Sequence, residues 1–230
     1  MTNRYKISTI VFIVSAVVEE EPWVLRLSLK RKKGLDYMSG RPREFKDIAV
    51  IDAAMEVFWV KGFEACSTEE LCKRTGLGKG SLYNAFGSKH NLYKLALLRY
   101  SEIGLQANLE ILDGPGPIKD RLRALMETVI DIDLNDPDRR GCLAINAAIE
   151  RGGNDPEIAL EVSRQFARFE EALCHVMELG QRTGEISSKR PALELARFFK
   201  SSYYGLRVLS KVEQDRAALL DVVEGTLAAL

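Results

Sequence analysis

Apolar residues recur at three- and four-residue steps through most of the chain after Met38, the period of a helix that buries one face. Ile48, Ile51, Met55, Phe58, Trp59 and Phe63 keep that spacing, and Gly62 falls where the run should stop. Ile158, Val162, Phe166, Phe169, Leu173, Val176 and Met177 form a longer series, opened by Asn154-Asp155-Pro156 and closed by Gly184. Pro117, Pro137, Pro156 and Pro191 each precede an apolar-periodic stretch, as prolines do at helix starts. No alternating run rich in Val, Ile and Thr stands out after residue 38. The pattern predicts an all-α chain with helices at roughly 44–62, 68–75, 79–84, 88–108, 117–134, 140–151, 156–182, 191–210 and 214–229.

One short stretch departs from plain amphipathic periodicity. "LCKRTGLGKGSLYNAFGSKHNLY", Leu71 to Tyr93, places Gly76, Gly78 and Gly80 around Lys79. A Walker phosphate loop needs four residues between its glycines and then Gly-Lys-Ser/Thr, but Lys79 is followed by Gly80. A dinucleotide loop needs a buried strand before its first glycine, and "TEELCKRT" is polar and helical. A turn between two short helices accounts for each residue. Ser67-Thr68-Glu69-Glu70 reads as a capping box. Gly76 supplies the left-handed residue that ends the first helix. Leu77 plugs the turn into the core, and Gly78 caps the next helix at little cost relative to Ser. Lys79 to Asn84 is then a second short helix with Leu82 and Phe86 on its buried side. Helix, short turn, helix is the geometry that seats a recognition helix in a DNA major groove.

With these motifs assembled, "DIAVIDAAMEVFWVKGFEACSTEELCKRTGLGKGSLYNAFGSKHNLYKLAL" resembles the DNA-binding domain of the TetR family of bacterial transcriptional repressors. The likeness rests on a first helix ending Lys-Gly-Phe, the capped second helix, Gly-Leu-Gly-Lys-Gly-Ser-Leu-Tyr, and Phe-x-Ser-Lys opening a fourth helix. Gly78 departs from the family, which often has Ser or Thr there. The resemblance implies an N-terminal three-helix helix-turn-helix head, residues 38–90, followed by a six-helix ligand-binding and dimerisation domain, residues 91–230. It also implies a homodimeric repressor that binds a palindromic operator in double-stranded DNA and is released by a small-molecule effector. On this reading Lys79, Gly80, Ser81 and Asn84 face bases or nearby phosphates, and an Asn at 84 suits an adenine edge. Tyr83 and Lys89 meet phosphates, which position without reading sequence. The bland readings are a packed aromatic for Tyr83 and a solvated lysine for Lys89. Ser67 sits at a helix N-terminus whose amides favour phosphate. Arg41 and Arg43 form a short basic arm that reaches the backbone or minor groove. His90 reads as a surface residue.

Composition changes this picture little. The chain has 230 residues, 46% hydrophobic and 29% charged, with thirty-three basic and thirty-three acidic side chains. No global field advertises a nucleic-acid or membrane partner. From Met38 to His90 basic residues outnumber acidic ones by eight to seven; from Asn91 onward the count is eighteen to twenty-two. Cys66, Cys72, Cys142 and Cys174 are far apart, without a CxxC, and there are two histidines, so no metal site or disulfide framework is expected. No cofactor is expected, and the lack of a Ser/His/Asp, Cys/His or paired-carboxylate constellation disfavours an enzyme. The apolar run Ile7–Val18 is too short to span a bilayer. Residues 1–37 are read as an extension without a folded role, and the protein as reduced and cytoplasmic.

In the C-terminal two-thirds, two late helices carry apolar stripes. Leu195, Phe198, Phe199, Tyr203, Leu206 and Leu209 on one, with Leu219, Leu220, Val223, Leu227 and Leu230 on the other, are expected to form a four-helix bundle across a two-fold axis; intramolecular core is the competing reading. Met126, Val129, Ile130, Phe166, Phe169, Leu173 and Met177 are candidates to line an effector pocket, each also readable as plain core. Cys142, after two arginines and near a helix start, admits two readings: a redox- or electrophile-sensing thiol, or a buried inert one.

Overall fold

The computed structural model describes Arg43–Leu230. Among these residues there are nine helices and no strand: α1 Arg43–Ala65, α2 Thr68–Thr75, α3 Lys79–Phe86, α4 Lys89–Leu112, α5 Ile118–Leu134, α6 Leu143–Arg151, α7 Pro156–Thr183, α8 Ala192–Leu209 and α9 Arg216–Ala228. Arg41 and the first thirty-seven residues lie outside the described part. The ends follow local chemistry. Ser67, Ser88, Asp155 and Asp215 each accept a backbone N–H at a helix start. Gly76 and Gly184 end α2 and α7 in the left-handed conformation. α1 runs on to Ala65, but Gly62 breaks its geometry at φ 78 and ψ 179, where the sequence placed the end. α6 begins at Leu143 rather than 140, because Arg139 and Gly141 both take positive φ, 48 and 64, in the loop before it.

Two cores form, and the first runs across residue 90. The first joins α1 to α4 with the start of α6 and α7, through Phe58, Leu71, Leu82, Leu92, Tyr93, Leu143, Ile158 and Val162. The second joins the end of α4 with α5, the rest of α7, α8 and α9. α4 and α7 therefore each supply side chains to both cores, and Lys46–Leu230 is one compact unit.

Most of the residues expected to meet a partner turn inward. Leu195, Phe199, Tyr203, Leu206, Val223 and Leu227 are 0–5% exposed within the single chain, and Leu220 packs half-buried against the same core. They pack against α5 and α7 of their own chain, which leaves all but Leu220 almost no surface for a partner. α8 also exposes apolar residues beside that face: Phe198, Val208 and Leu209 are 39% to 46% exposed, and Val212, in the turn after the helix, is 78% exposed.

A buried ion pair ties α5 to α8. Arg207 Nε and Nη2 donate to the two Asp133 oxygens at 2.9 and 2.7 Å, and Ser210 Oγ donates to Asp133 Oδ2 at 3.0 Å. Arg207 Nη2 also donates to the Gly141 carbonyl at 3.1 Å. That same carbonyl accepts from Trp59 Nε1 of α1 at 2.9 Å.

Candidate nucleic-acid interface

The head is built by its caps. Ser67 Oγ accepts from the Glu70 amide at 3.2 Å, and Glu70 Oε2 accepts from the Ser67 amide at 3.0 Å, the reciprocal pair of a capping box. α2 then runs for two turns with Leu71 buried, and Gly76 reverses the chain at φ 71. Gly78 caps α3 without a side-chain bond, and the Leu82 amide donates to the Gly78 carbonyl at 2.9 Å. Leu82 and Phe86 anchor α3 to the core. The rest of its surface faces water: Lys79, Gly80, Ser81 and Asn84 are all exposed. A Cβ added at Gly80 would meet nothing within 4 Å. The chain's own packing therefore does not require glycine there.

Tyr83 lies between packed and free. Its hydroxyl shares a 2.8 Å hydrogen bond with Thr68 Oγ1, which places the phenol against the start of α2. Ser67, exposed, and Tyr83 thus border the same helix N-terminus, whose first amides suit an anion. The sequence reading missed Thr68; its position one residue after the cap, facing a tyrosine fifteen residues on, was the available signal. Lys89 opens α4 and is half-buried rather than fully solvated. Its ammonium lies 4.5 Å from the centroid of the Phe63 ring, a cation–π contact. His90 is half-buried rather than free at the surface: Nε2 and Asp155 Oδ2 are 2.8 Å apart. Burial alone would push the Asp155 carboxyl up, but bonds from the Ile158 amide, Arg151 and His90 hold it below its ordinary value. Arg43 begins α1, and Arg41 lies outside the described residues.

The expected effector residues divide. Met126, Val129, Ile130, Phe169, Leu173 and Met177 are 0–4% exposed and belong to the second core. They fill the space they were expected to line. Phe166 is half-buried and stacks on Tyr204 with centroids 4.5 Å apart. It borders a solvent-open groove of about 450 Å³ between α6, α7 and α8, beside the Glu170–Lys200 ion pair. A second groove, of about 520 Å³, lies between α4 and α7 and includes Leu105, Leu109, Arg168 and His175. Cys142 lies apart from both grooves and is 4% exposed at the start of α6. Nearby, burial pushes the Tyr203 phenol up to about 12. Among the described residues no group of acids, cysteines and histidines could hold a metal ion.

Residues 50–96 match the family model described as bacterial regulatory proteins, tetR family. Residues 119–225 match the tetracyclin repressor-like C-terminal domain. The chain is 33% identical over 193 residues to the uncharacterized HTH-type transcriptional regulator YezE of Bacillus subtilis, covering 83% of this chain and 99% of that protein. It is 24% identical over 189 residues to the HTH-type transcriptional repressor ComR of Escherichia coli, covering 82% and 90%. Among solved structures it resembles a cysteine-substituted TetR family transcriptional regulator CifR in complex with a 26-bp double-strand operator DNA. That likeness has a TM-score of 0.72 at 30% identity and covers 83% of this chain and 99% of the other.

Proposed function

The chain belongs to the TetR family of bacterial DNA-binding transcriptional regulators, and from that premise we propose that it is a homodimeric repressor, released from a palindromic operator by a small-molecule effector. The observation that carries the DNA contacts is the exposed side of α3. Lys79, Gly80, Ser81 and Asn84 stand free of the chain's packing, while Leu82 and Phe86 hold the helix from beneath. Asn84 reads a base edge; Lys89 and the Ser67–Tyr83 edge meet phosphates. Residues 38–90 do the reading, and 91–230 carry the effector and dimer functions.

We assign the dimer contact to the outward face of α8, with Phe198, Ser201, Gly205, Leu209 and Val212, and to the outward side of α9, where Ala217, Ala218, Gly225 and Ala228 are exposed small residues. Small residues let two helix backbones approach closely, and exposed apolar ones supply the area that association needs. Two heads so joined must present their recognition helices about 34–36 Å apart to meet successive major grooves. An effector bound among the middle helices changes that separation by tilting α4, which supplies both cores.

The alternative, a sensor thiol at Cys142, draws no support from exposure. Reactive cysteines are partly accessible, and this one is 4% exposed. A cytoplasmic location fits the reading, and among the described residues no helix is long and apolar enough to cross a membrane.

The test compares affinity for DNA upstream of the protein's own gene with affinity for a scrambled duplex, each over a salt series. Asn84→Ala should cost about 1–3 kcal/mol on the operator and much less on scrambled DNA. Lys89→Ala should weaken both alike and lower the salt slope by about 0.9 per head. Equal loss on both duplexes for Asn84→Ala would make Asn84 another phosphate contact. A silent Lys89→Ala would refute the docking.

A further inference from the structure

We propose that the C-terminal end of α6 sets the position of the phosphate-contacting lysine, with Glu150 and Arg151 as positioning residues for DNA binding. The inference rests on the reading of Lys89 as a phosphate contact. It begins at Gly62, where positive φ turns the backbone so that two successive amides point outward together. Phe63 N and Glu64 N both donate to the Glu150 carboxylate, at 2.8 and 2.9 Å. Adjacent amides converging on one anion form a nest, and each bond is charge-assisted. A Cβ on residue 62 would lie 2.9 Å from both Glu150 oxygens. The carboxylate occupies the space a side chain would take, so the glycine serves the docking as well as the turn.

The nest fixes the backbone of Phe63, and the Phe63 ring is where Lys89 rests. The Lys89 ammonium is 4.5 Å from the ring centroid, and the Arg151 guanidinium is 4.7 Å from it. The two cations differ in what else they hold. Arg151 bonds to Glu64 and, at 3.1 Å, to Asp155. Among the described residues no carboxylate forms an ion pair with Lys89. Arg151 is thus neutralised in place, while Lys89 keeps a whole charge on a fixed platform. α6 is separated from this platform by more than eighty residues of sequence, and its first turn lies in the head's own core through Leu143 and Ala147. A displacement of α6 therefore reaches Lys89 through Glu150 and Phe63 without passing along α4.

A double-mutant cycle tests this, with a random-sequence duplex of about 30 base pairs as probe, because a phosphate contact is independent of sequence. Affinity and salt slope are measured for Lys89→Ala, Glu150→Gln and the pair. In Glu150→Gln an amide NH2 faces one of the two backbone N–H groups in place of an acceptor. The expected result is about a fivefold loss for Glu150→Gln, a comparable loss with reduced slope for Lys89→Ala, and no further loss when the two are combined. Equal loss from Glu150→Gln in both backgrounds would mean general destabilisation and overturn the proposal, as would no loss at all. A silent Lys89→Ala overturns the phosphate reading, and with it the proposal, before the cycle is completed. Phe63→Leu, which keeps apolar bulk and removes the ring, repeats the cycle should Glu150→Gln fail to fold. Its effect should likewise vanish once Lys89 is gone.

Discussion

Asp133→Ala is expected to be among the most damaging single substitutions outside the apolar core. Asp133 and Arg207 are 4% and 8% exposed. The carboxylate accepts three hydrogen bonds, two from Arg207 and one from Ser210. Without it the buried guanidinium keeps only the Gly141 carbonyl, at 3.1 Å. Breaking a buried pair by removing one partner costs about 3–5 kcal/mol. A domain's total stability is about 5–15 kcal/mol, so about a fifth or more should disappear. The double variant Asp133→Leu with Arg207→Met leaves no buried charge. Replacing such a pair by apolar residues is often neutral or stabilising by about 1–4 kcal/mol, so it should recover most of the loss. Urea unfolding measures both, at one fixed protein concentration so that any subunit association contributes equally. A cost below about 1 kcal/mol for Asp133→Ala would show that water or a rotamer change relieves Arg207. A double variant as unstable as the single would show that the contact matters for shape rather than charge.

Phe198→Glu or Leu209→Glu should leave the helices folded by circular dichroism and yield a monomer in sedimentation, whereas Leu206→Glu, at 0% exposure, should unfold the chain; a folded dimer from Phe198→Glu would remove α8's outward face from the interface. Against the upward push of burial, bonds from the Ile158 amide, Arg151 and His90 hold the folded Asp155 carboxyl below the ordinary aspartate range. Its stabilisation is therefore present above that range and lost as pH falls through the depressed value. Asp155→Asn should unfold at lower urea than wild type at neutral pH, and the gap should narrow below about pH 4; a gap independent of pH would mean that the effect is not electrostatic. Cys142→Ser should leave DNA binding unchanged, and the native protein's binding should resist mild oxidants and maleimides; a response lost only in Cys142→Ser would establish the sensor reading.

The helices were legible because each carries an apolar stripe at the helical period and a cap that few residue types provide. The turn between α2 and α3 was the most legible part, since Ser67, Glu70, Gly76 and Gly78 each answer a distinct backbone need. The inward face of α8 was read as a partner surface for a physical reason. α8 is apolar on two sides, and a period reports that a face is buried without saying against which chain. Leu195, Phe199 and Tyr203 cover α7; Phe198 and Leu209, read in the same stripe, lie exposed beside them. The same ambiguity put Met126, Ile130 and Leu173 in a pocket when they fill a core. Glu150 was invisible for another reason. Its partners are backbone amides more than eighty residues away, and a carboxylate that docks on amides leaves no mark of charge complementarity in the sequence. His90 and Asp155, sixty-five residues apart, were hidden by the same distance.

These long-range contacts bear on how a signal could leave the effector region. If the head hung from α4 alone, tilting that helix would be the one way to move it. Instead α1 is held at further points: Arg140 bonds Glu56 at 2.6 Å, Trp59 donates to the Gly141 carbonyl, Glu150 occupies the amide nest, and Arg151 bonds Glu64. Of these the Gly141 carbonyl has the least tolerance. Its oxygen is shared between Trp59 of α1 at 2.9 Å and Arg207 of α8 at 3.1 Å. A carbonyl has two lone pairs, so both are in use. Moving α8 by about half an ångström away from the loop would take the Arg207 bond past the distance at which it still counts as one. Arg207 cannot simply follow solvent, because Asp133 holds it through two bonds inside the core. The strain therefore falls on the loop, and through Trp59 on α1. A displacement of α8 would therefore reach the first helix of the head through the Gly141 carbonyl as well as through α4.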